Sequence, residues 1–272
     1  MPITSYPAIP YLQQDLISSG VYTPRTYVKL FGKSNLVGTS SGYYDLWLGN
    51  TQNYTPPKTA ITMQLQSTSA SDNATGSGAQ VISVVYLDSS YNQGITNVTL
   101  AGTTSVSLPI SCLRINAMYT SQVGSTGYPV GTITLTNLAS TVQYGYIEPL
   151  RNTAQQVIYT VPAGKTLYIS QWYAATGSLS GASAKNSITQ FVLRATNWLD
   201  MGYTRSITVT NGGLNPTEGF LTTDICSITT GGTPIILTDP IRIPAQSDVK
   251  ISAADAGGNV VSAMGSFVGW IE

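Results

Sequence analysis

Ile61-Thr-Met-Gln-Leu-Gln66 places Ile61, Met63 and Leu65 on one side and Thr62, Gln64 and Gln66 on the other. A period of two is the mark of a strand with one buried face. Working downstream, a Ser/Gly-rich loop covers 67–78. Val81-Ile-Ser-Val-Val-Tyr-Leu87 follows, then β-favouring runs at 96–100, 104–108, 113–119 and 131–138. Asp88-Ser-Ser-Tyr-Asn-Gln-Gly94 and residues 121–128 between them carry turn chemistry. Short strands at this spacing predict an antiparallel sandwich or barrel.

The same style returns beyond Glu148-Pro149-Leu150-Arg151-Asn152, where we place a boundary near 148–155. Val157-Ile-Tyr-Thr-Val161 leads into Pro162-Ala-Gly-Lys165, a tight turn in which Pro presets φ and Gly accepts a positive one. Thr166-Leu-Tyr-Ile-Ser-Gln-Trp-Tyr173 reads as the next strand. Further strands are expected at 188–196, 205–210, 235–237, 248–253 and 265–270, with 197–224 rich in loops. Upstream, 1–57 reads as an arm interrupted by prolines. Leu12, Leu16 and Ile17 suit two helical turns stopped by Gly20, Thr26–Phe31 suits a strand, and Tyr43-Tyr-Asp-Leu-Trp47 is an apolar patch. Such an arm must dock, on its own body or on a neighbouring subunit. The fold class is therefore all-β: two antiparallel β-sandwich, jelly-roll-like domains at 58–150 and 151–272, preceded by an extended N-terminal arm at 1–57.

Composition narrows the function. The chain has 272 residues, 12 Lys+Arg against 12 Asp+Glu, and no His. Only 9% of residues are charged, against about 25% in an average globular domain. Ser and Thr together number 66. Zero net charge argues against a general nucleic-acid binder. A surface so poor in charge favours association. No stretch approaches the ~20 apolar residues of a membrane helix, so no membrane partner is expected, and the N-terminus lacks the pattern of a signal peptide; an ordinary secreted β protein is the bland alternative. The sequons at Asn53, Asn73 and Asn97 carry little weight without secretion. Cys112 and Cys226, far apart in strand-like runs, are expected to be free buried thiols.

Chemistry has few carriers. Without His, the Ser-His-Asp and Cys-His arrangements are absent, and no His-ligated metal can form. Asp200, Glu218 and Asp224 are the one carboxylate cluster near enough in sequence to consider for glycan cleavage, and solvated loop charge is the simpler reading. Gly164-Lys165-Thr166 echoes a phosphate loop but leads into a strand, which removes the helix that motif requires. Asp72-Asn-Ala-Thr-Gly-Ser-Gly78 faintly resembles a calcium loop without its closing Glu, which leaves a weak surface calcium site only as a lesser alternative. No cofactor, no metal and no catalytic residue is assigned, and the chain is expected not to be an enzyme. Aromatic groups remain. Tyr27, Phe31, Tyr43, Tyr44, Trp47 and Tyr54 are candidate interface anchors of the arm, and Trp172, Tyr173 and Trp198 are candidate glycan contacts.

Several stretches, taken in order, resemble a class of virion structural proteins of tailed bacteriophages, with similar sequences in some large algal DNA viruses. They are Val28-Lys-Leu-Phe-Gly-Lys-Ser-Asn35, Tyr43-Tyr-Asp-Leu-Trp47, Ser69-Ala-Ser-Asp-Asn-Ala-Thr-Gly-Ser-Gly-Ala-Gln80, Leu87-Asp-Ser-Ser-Tyr-Asn92, Val98-Thr-Leu-Ala-Gly-Thr-Thr104, Cys112-Leu-Arg-Ile-Asn116, Gly124-Ser-Thr-Gly127, Val130-Gly-Thr-Ile-Thr-Leu135 and Tyr159-Thr-Val-Pro-Ala-Gly-Lys-Thr166. Leu30 is inserted relative to the family's usual Lys-Phe-Gly-Arg-Asn. The likeness covers most of 26–173 and fades beyond it. It implies a virion location and a capsid-associated role as a cement, decoration or minor capsid subunit. The implied partners are copies of itself and other virion proteins such as the major capsid protein. A tail or fibre adhesin that binds host-surface glycan is the alternative.

Overall fold

A computed structural model of the chain describes residues 25–37, 42–49, 51–178, 188–200, 203–206, 219–229, 231–255 and 261–272. All regular structure among them is strand. The expected helix at 11–19 lies outside the described residues.

Two strands precede everything else, β1 (Thr26–Val37) and β2 (Tyr44–Asp45). Seven then form a first body: β3 (Ile61–Ser67), β4 (Ala79–Leu87), β5 (Gln93–Thr99), β6 (Val106–Cys112), β7 (Arg114–Val123), β8 (Ile133–Asn137) and β9 (Gln143–Ile147). They pair as a four-stranded sheet, β6-β3-β8-β9, facing a three-stranded sheet, β5-β4-β7. The alternation at 61–65 does what its period demands. Met63 and Leu65 are fully buried and pack with Ile82, Val84, Met118, Ile133 and Leu135 between the sheets.

The second body contains β10 (Ile158–Thr160), β11 (Leu167–Ser178), β12 (Thr189–Ala195), β13 (Asn197–Asp200), β14 (Tyr203–Ser206), β15 (Leu221–Ile228), β16 (Gly231–Ile243), β17 (Asp248–Asp255) and β18 (Val261–Ile271). Its sheets run β1-β18-β11-β16-β13-β14 and β10-β17-β12-β15, with β2 beside β17. Setting aside β2 and the β13–β14 hairpin leaves eight strands: β1, β10, β11, β12, β15, β16, β17 and β18. Numbered one to eight along the chain, they form sheets 1-8-3-6 and 2-7-4-5. That is the two-sheet jelly roll. Trp172, Phe191, Leu193, Ile251 and Phe267 fill the space between its sheets.

This topology corrects the expected arm and its boundary at residue 57. β1 is the first strand of the jelly roll, paired antiparallel with β18 from Thr26↔Ile271 to Val37↔Val261. The first body is inserted between β1–β2 and β10. Gly32 shows why β1 belongs to its own chain: a Cβ there would lie 2.4 Å from the Leu46 carbonyl oxygen and 2.7 Å from the Val157 nitrogen. Only a residue without a side chain permits that approach.

Other expectations resolve locally. At Pro162-Ala-Gly-Lys165 the Lys165 N–H donates to the Pro162 carbonyl at 3.2 Å and Gly164 has φ +70°, as a type II turn requires. The stretch 197–224, read as loop-rich, contains β13, β14 and the first half of β15. The short strand expected at 235–237 belongs to β16, which runs on through Pro240. Ile169↔Ile241 is followed by Gln171↔Ile236, so 237–240 bulge out of the ladder, and Pro240 sits where no ladder bond is required of it. Cys112 and Cys226 are both free.

Candidate functional site

Two buried polar clusters lock the inserted body to the jelly roll. Arg114 on β7 donates to both carboxylate oxygens of Asp248 on β17, at 3.0 and 3.1 Å, and to the Pro57 carbonyl at 3.0 Å. Asn116 exchanges two 2.9 Å bonds with the Thr160 backbone, and the Thr160 hydroxyl donates to Asp248. Burial works against the Arg114 charge, but Asp248 together with Tyr91 and Tyr54 more than offsets it, and the guanidinium pKa stands above its ordinary value. In the second cluster Asp45, fully buried, accepts from Lys250 Nζ at 2.8 Å, the Ser252 hydroxyl at 2.8 Å and the Tyr54 N–H at 2.9 Å. Both clusters use their donors and acceptors on each other, as buried ionic groups must. They join the strands of the two bodies.

Asp72 is a third such centre. Its Oδ1 accepts from the Ala79 and Val130 N–H groups at 2.8 and 2.9 Å. Its Oδ2 accepts from the Gly131 N–H at 2.8 Å and the Ser67 hydroxyl at 2.6 Å. Four donors occupy the carboxylate, so the calcium-loop expectation is corrected: this aspartate ties two loops together. Among the described residues no group of three or more Cys, Asp or Glu side chains is placed to hold a metal ion.

The aromatic candidates part company. Trp47 and Tyr54, expected at a subunit interface, lie in the core of the inserted body, ring edge to ring face at 5.3 Å. Tyr44 is half-buried against the jelly-roll core. Tyr43 lies under the Arg194 guanidinium and its hydroxyl donates to Gln190. Of the glycan candidates, Trp172 is fully buried, with its indole N–H on Asp224 at 2.8 Å. Trp198 is half-buried against the same core. These two are corrected as sugar platforms, because strand alternation turns them inward. Asp224 also accepts from the Ile225 N–H. Glu218 and the side chain of Asp200 lie outside the described residues, so the structure does not assemble the carboxylate cluster.

Tyr27, Phe31 and Tyr173 are brought together. Strand registry arranges the outer face of the jelly-roll sheet in rows across β1, β18, β11 and β16. The rows are Tyr27, Trp270, Tyr168, Arg242; then Lys29, Val268, Gln171, Ile236; then Phe31, Ser266, Tyr173, Pro234; then Lys33, Met264, Ala175, Gly232. At one end Tyr168 stacks on Trp270 at 5.3 Å, and Arg25 lies over Trp270 while paired with Glu272. Along the rest of the face Tyr27, Phe31, Tyr173, Ile236 and Met264 are 37–47% exposed. Exposed apolar side chains gathered on one sheet face are the kind of patch used in protein contacts.

At the end farthest from Arg25 this face meets the linker from the inserted body. Phe31, Gly32, Lys33, Tyr173, Met264, Gly265 and Ser266 join Arg151 and Gln155 around a cleft of about 370 Å³. Lys33 is paired with Glu148 at 2.8 Å. Beyond the cleft the apolar surface continues on the inserted body. Leu150 is 65% exposed and has φ +66°, a conformation that is costly for a bulky residue. Its N–H donates to the Pro129 carbonyl, beside exposed Tyr128 and Val130. Met264, Ile236, Lys33 and Arg151 escaped the sequence reading. Alternation shows that they face away from a core, but only strand registry places them on one surface.

No family model matches the chain, and no curated protein matches it. Among solved structures, chains of infectious bursal disease virus are similar to it. One from the Gx strain is 12% identical, with 91% of this chain and 70% of that chain covered and a TM-score of 0.14. One from the VP2 subviral particle is 13% identical, with 96% and 77% covered and the same TM-score. Similarities of that size carry no argument about this chain.

Proposed function

We propose that the protein is a non-enzymatic virion structural protein. It is capsid-associated, as a cement, decoration or minor capsid subunit of a tailed bacteriophage or a related virus. It stabilises the particle through contacts between copies and with other virion proteins such as the major capsid protein. The observation that carries this reading is the jelly roll whose outer face exposes Tyr27, Phe31, Tyr173, Ile236 and Met264 among Lys29, Lys33 and Arg242, on a chain with few charges overall. Jelly rolls also serve in lectins and cupins, and a fold alone does not assign a function. The surface supports the structural reading over a sugar-binding one. Two of the three aromatic residues considered for sugar contact are buried or half-buried, and the polar clusters are spent on joining the two bodies.

The test is the solution mass of the purified full-length chain by light scattering across a concentration series. The expected result is a defined oligomer, a multiple of 28.8 kDa. A monomer at every concentration overturns contact between copies and favours an adhesin or a subunit ordered only by other virion proteins.

A further inference from the structure

We propose that the cleft between the jelly roll and the inserted body binds a monocarboxylate with an aromatic or short aliphatic body, presented either by a free acid or by the acidic side chain of a protein segment. Such binding goes beyond the self-assembly reading and does not depend on it.

A close backbone approach builds the cleft. The linker from the inserted body passes beside Gly32 of β1, with the Val157 N–H on the Leu46 carbonyl and Gln156 bridged to Trp47. Arg151 and Gln155 thereby join Phe31, Tyr173 and Met264 around about 370 Å³, within the range of small-molecule sites. The three apolar side chains are 37–47% exposed and form a floor suited to one ring or a short chain.

Gln155 is the residue that points to a ligand. It is only 9% exposed, yet its side-chain amide bonds to no described residue. Neither amide atom is sealed from solvent, so this lining residue turns its amide to the cleft. A buried amide free of protein partners supplies both a donor and an acceptor to a bound molecule. Arg151 is the second group. Its side chain is exposed, and no described carboxylate pairs with it. Glu148 is spent on Lys33, so the rim carries one uncompensated positive charge, which suits one negative charge on the ligand. An arginine holds a planar carboxylate through two parallel N–H···O bonds, and the Gln155 NH2 adds a third donor.

The experiment follows the carbon-13 methyl groups of the five methionines by NMR in the full-length chain, with Met264 assigned through Met264→Leu. The probes are phenylpropionate, its neutral amide, and a blocked tetrapeptide holding phenylalanine next to glutamate. Phenylpropionate or the tetrapeptide is expected to shift Met264 with a Kd on the order of 1 mM or tighter, while the buried Met63 and Met118 stay fixed. Tighter binding of the free acid or of the tetrapeptide identifies the source, and either supports the proposal. The neutral amide, Arg151→Gln and Gln155→Leu are each expected to weaken binding by about tenfold or more, with the Met63 and Met118 signals reporting an intact core in both variants. Equal affinity for acid and amide overturns the proposal, because the cleft then selects only for apolar bulk. No shift of Met264 with any probe overturns it too, whatever mass light scattering gives for the same sample. Self-assembly is read from that mass alone, so the two readings fail separately.

Discussion

Replacing Asp72 by Asn changes one carboxylate oxygen into an NH2 group and leaves the shape of the side chain intact. Asp72 is fully buried and accepts four hydrogen bonds. The amide keeps one acceptor oxygen, which can serve Ala79 and Val130. Its NH2 then points at the Gly131 N–H and the Ser67 hydroxyl, and two charge-assisted bonds are lost. Hydrogen bonds to a charged group contribute about 1.5–3 kcal/mol each. Removing the buried charge also removes its own desolvation cost, so the sum of two bonds is an upper bound. The expected net loss is about 3–5 kcal/mol, the range seen when one partner of a buried ionic group is deleted. For a cooperative unit of 150–250 residues that lowers the midpoint of thermal unfolding by roughly 6–20 °C. Urea unfolding followed by tryptophan fluorescence and circular dichroism gives the free energy directly. A loss under about 1 kcal/mol would refute the reasoning, because it would mean that the four donors find water or other partners. Millimolar calcium is expected to leave the wild-type midpoint unchanged, since the carboxylate is already occupied. The effect reaches the surface: Asp72 holds the Val130 N–H, next to Pro129, whose carbonyl accepts from the strained Leu150.

Further outcomes follow from the joints and the buried titratable groups. Arg114→Met leaves Asp248 without its ionic partner and should cost about 3–5 kcal/mol. In calorimetry it should split one unfolding transition into two, and a single unshifted transition would show that the two bodies are coupled elsewhere. Burial pushes the Cys112 thiol up to about 12, and the reactive form of a thiol is the thiolate. One thiol, Cys226, should therefore react with a disulfide reagent at pH 8 in the folded protein, and the second only after unfolding; two prompt thiols would contradict the burial. Burial also holds Tyr54 and Tyr159 well above the ordinary tyrosine pKa. The unfolded chain releases these protons near pH ~10 and the folded chain keeps them. Their contribution is complete below that pH and falls as pH rises, by up to ~1.4 kcal/mol per unit for each tyrosine. With no His in the chain, urea midpoints should stay level from pH 6 to 8 and drop above pH ~10; a level profile to pH ~12 would place both phenols in water.

Local chemistry determined much of this protein from the sequence alone. Period-two alternation, as at Met63 and Leu65, identifies buried strand faces because neighbouring side chains of a strand point to opposite sides. The Pro162-Ala-Gly-Lys165 turn is legible because its φ values are set within four residues. The absence of His and the scarcity of charge excluded whole reaction types without any coordinates. Tertiary structure decided which strands become neighbours. Thr26–Phe31 reads as a strand in either setting, but nothing within it shows that its partner is β18, more than two hundred residues away. With that pairing the supposed arm becomes the first strand of the jelly roll, and the inserted body splits the fold in two. The same limit explains the aromatic residues. Trp172 and Tyr173 are adjacent in sequence and similar in chemistry, yet one is in the core and the other at the cleft. The phase of the pleat relative to the opposing sheet makes that choice, and it is a property of the packed layers rather than of the segment.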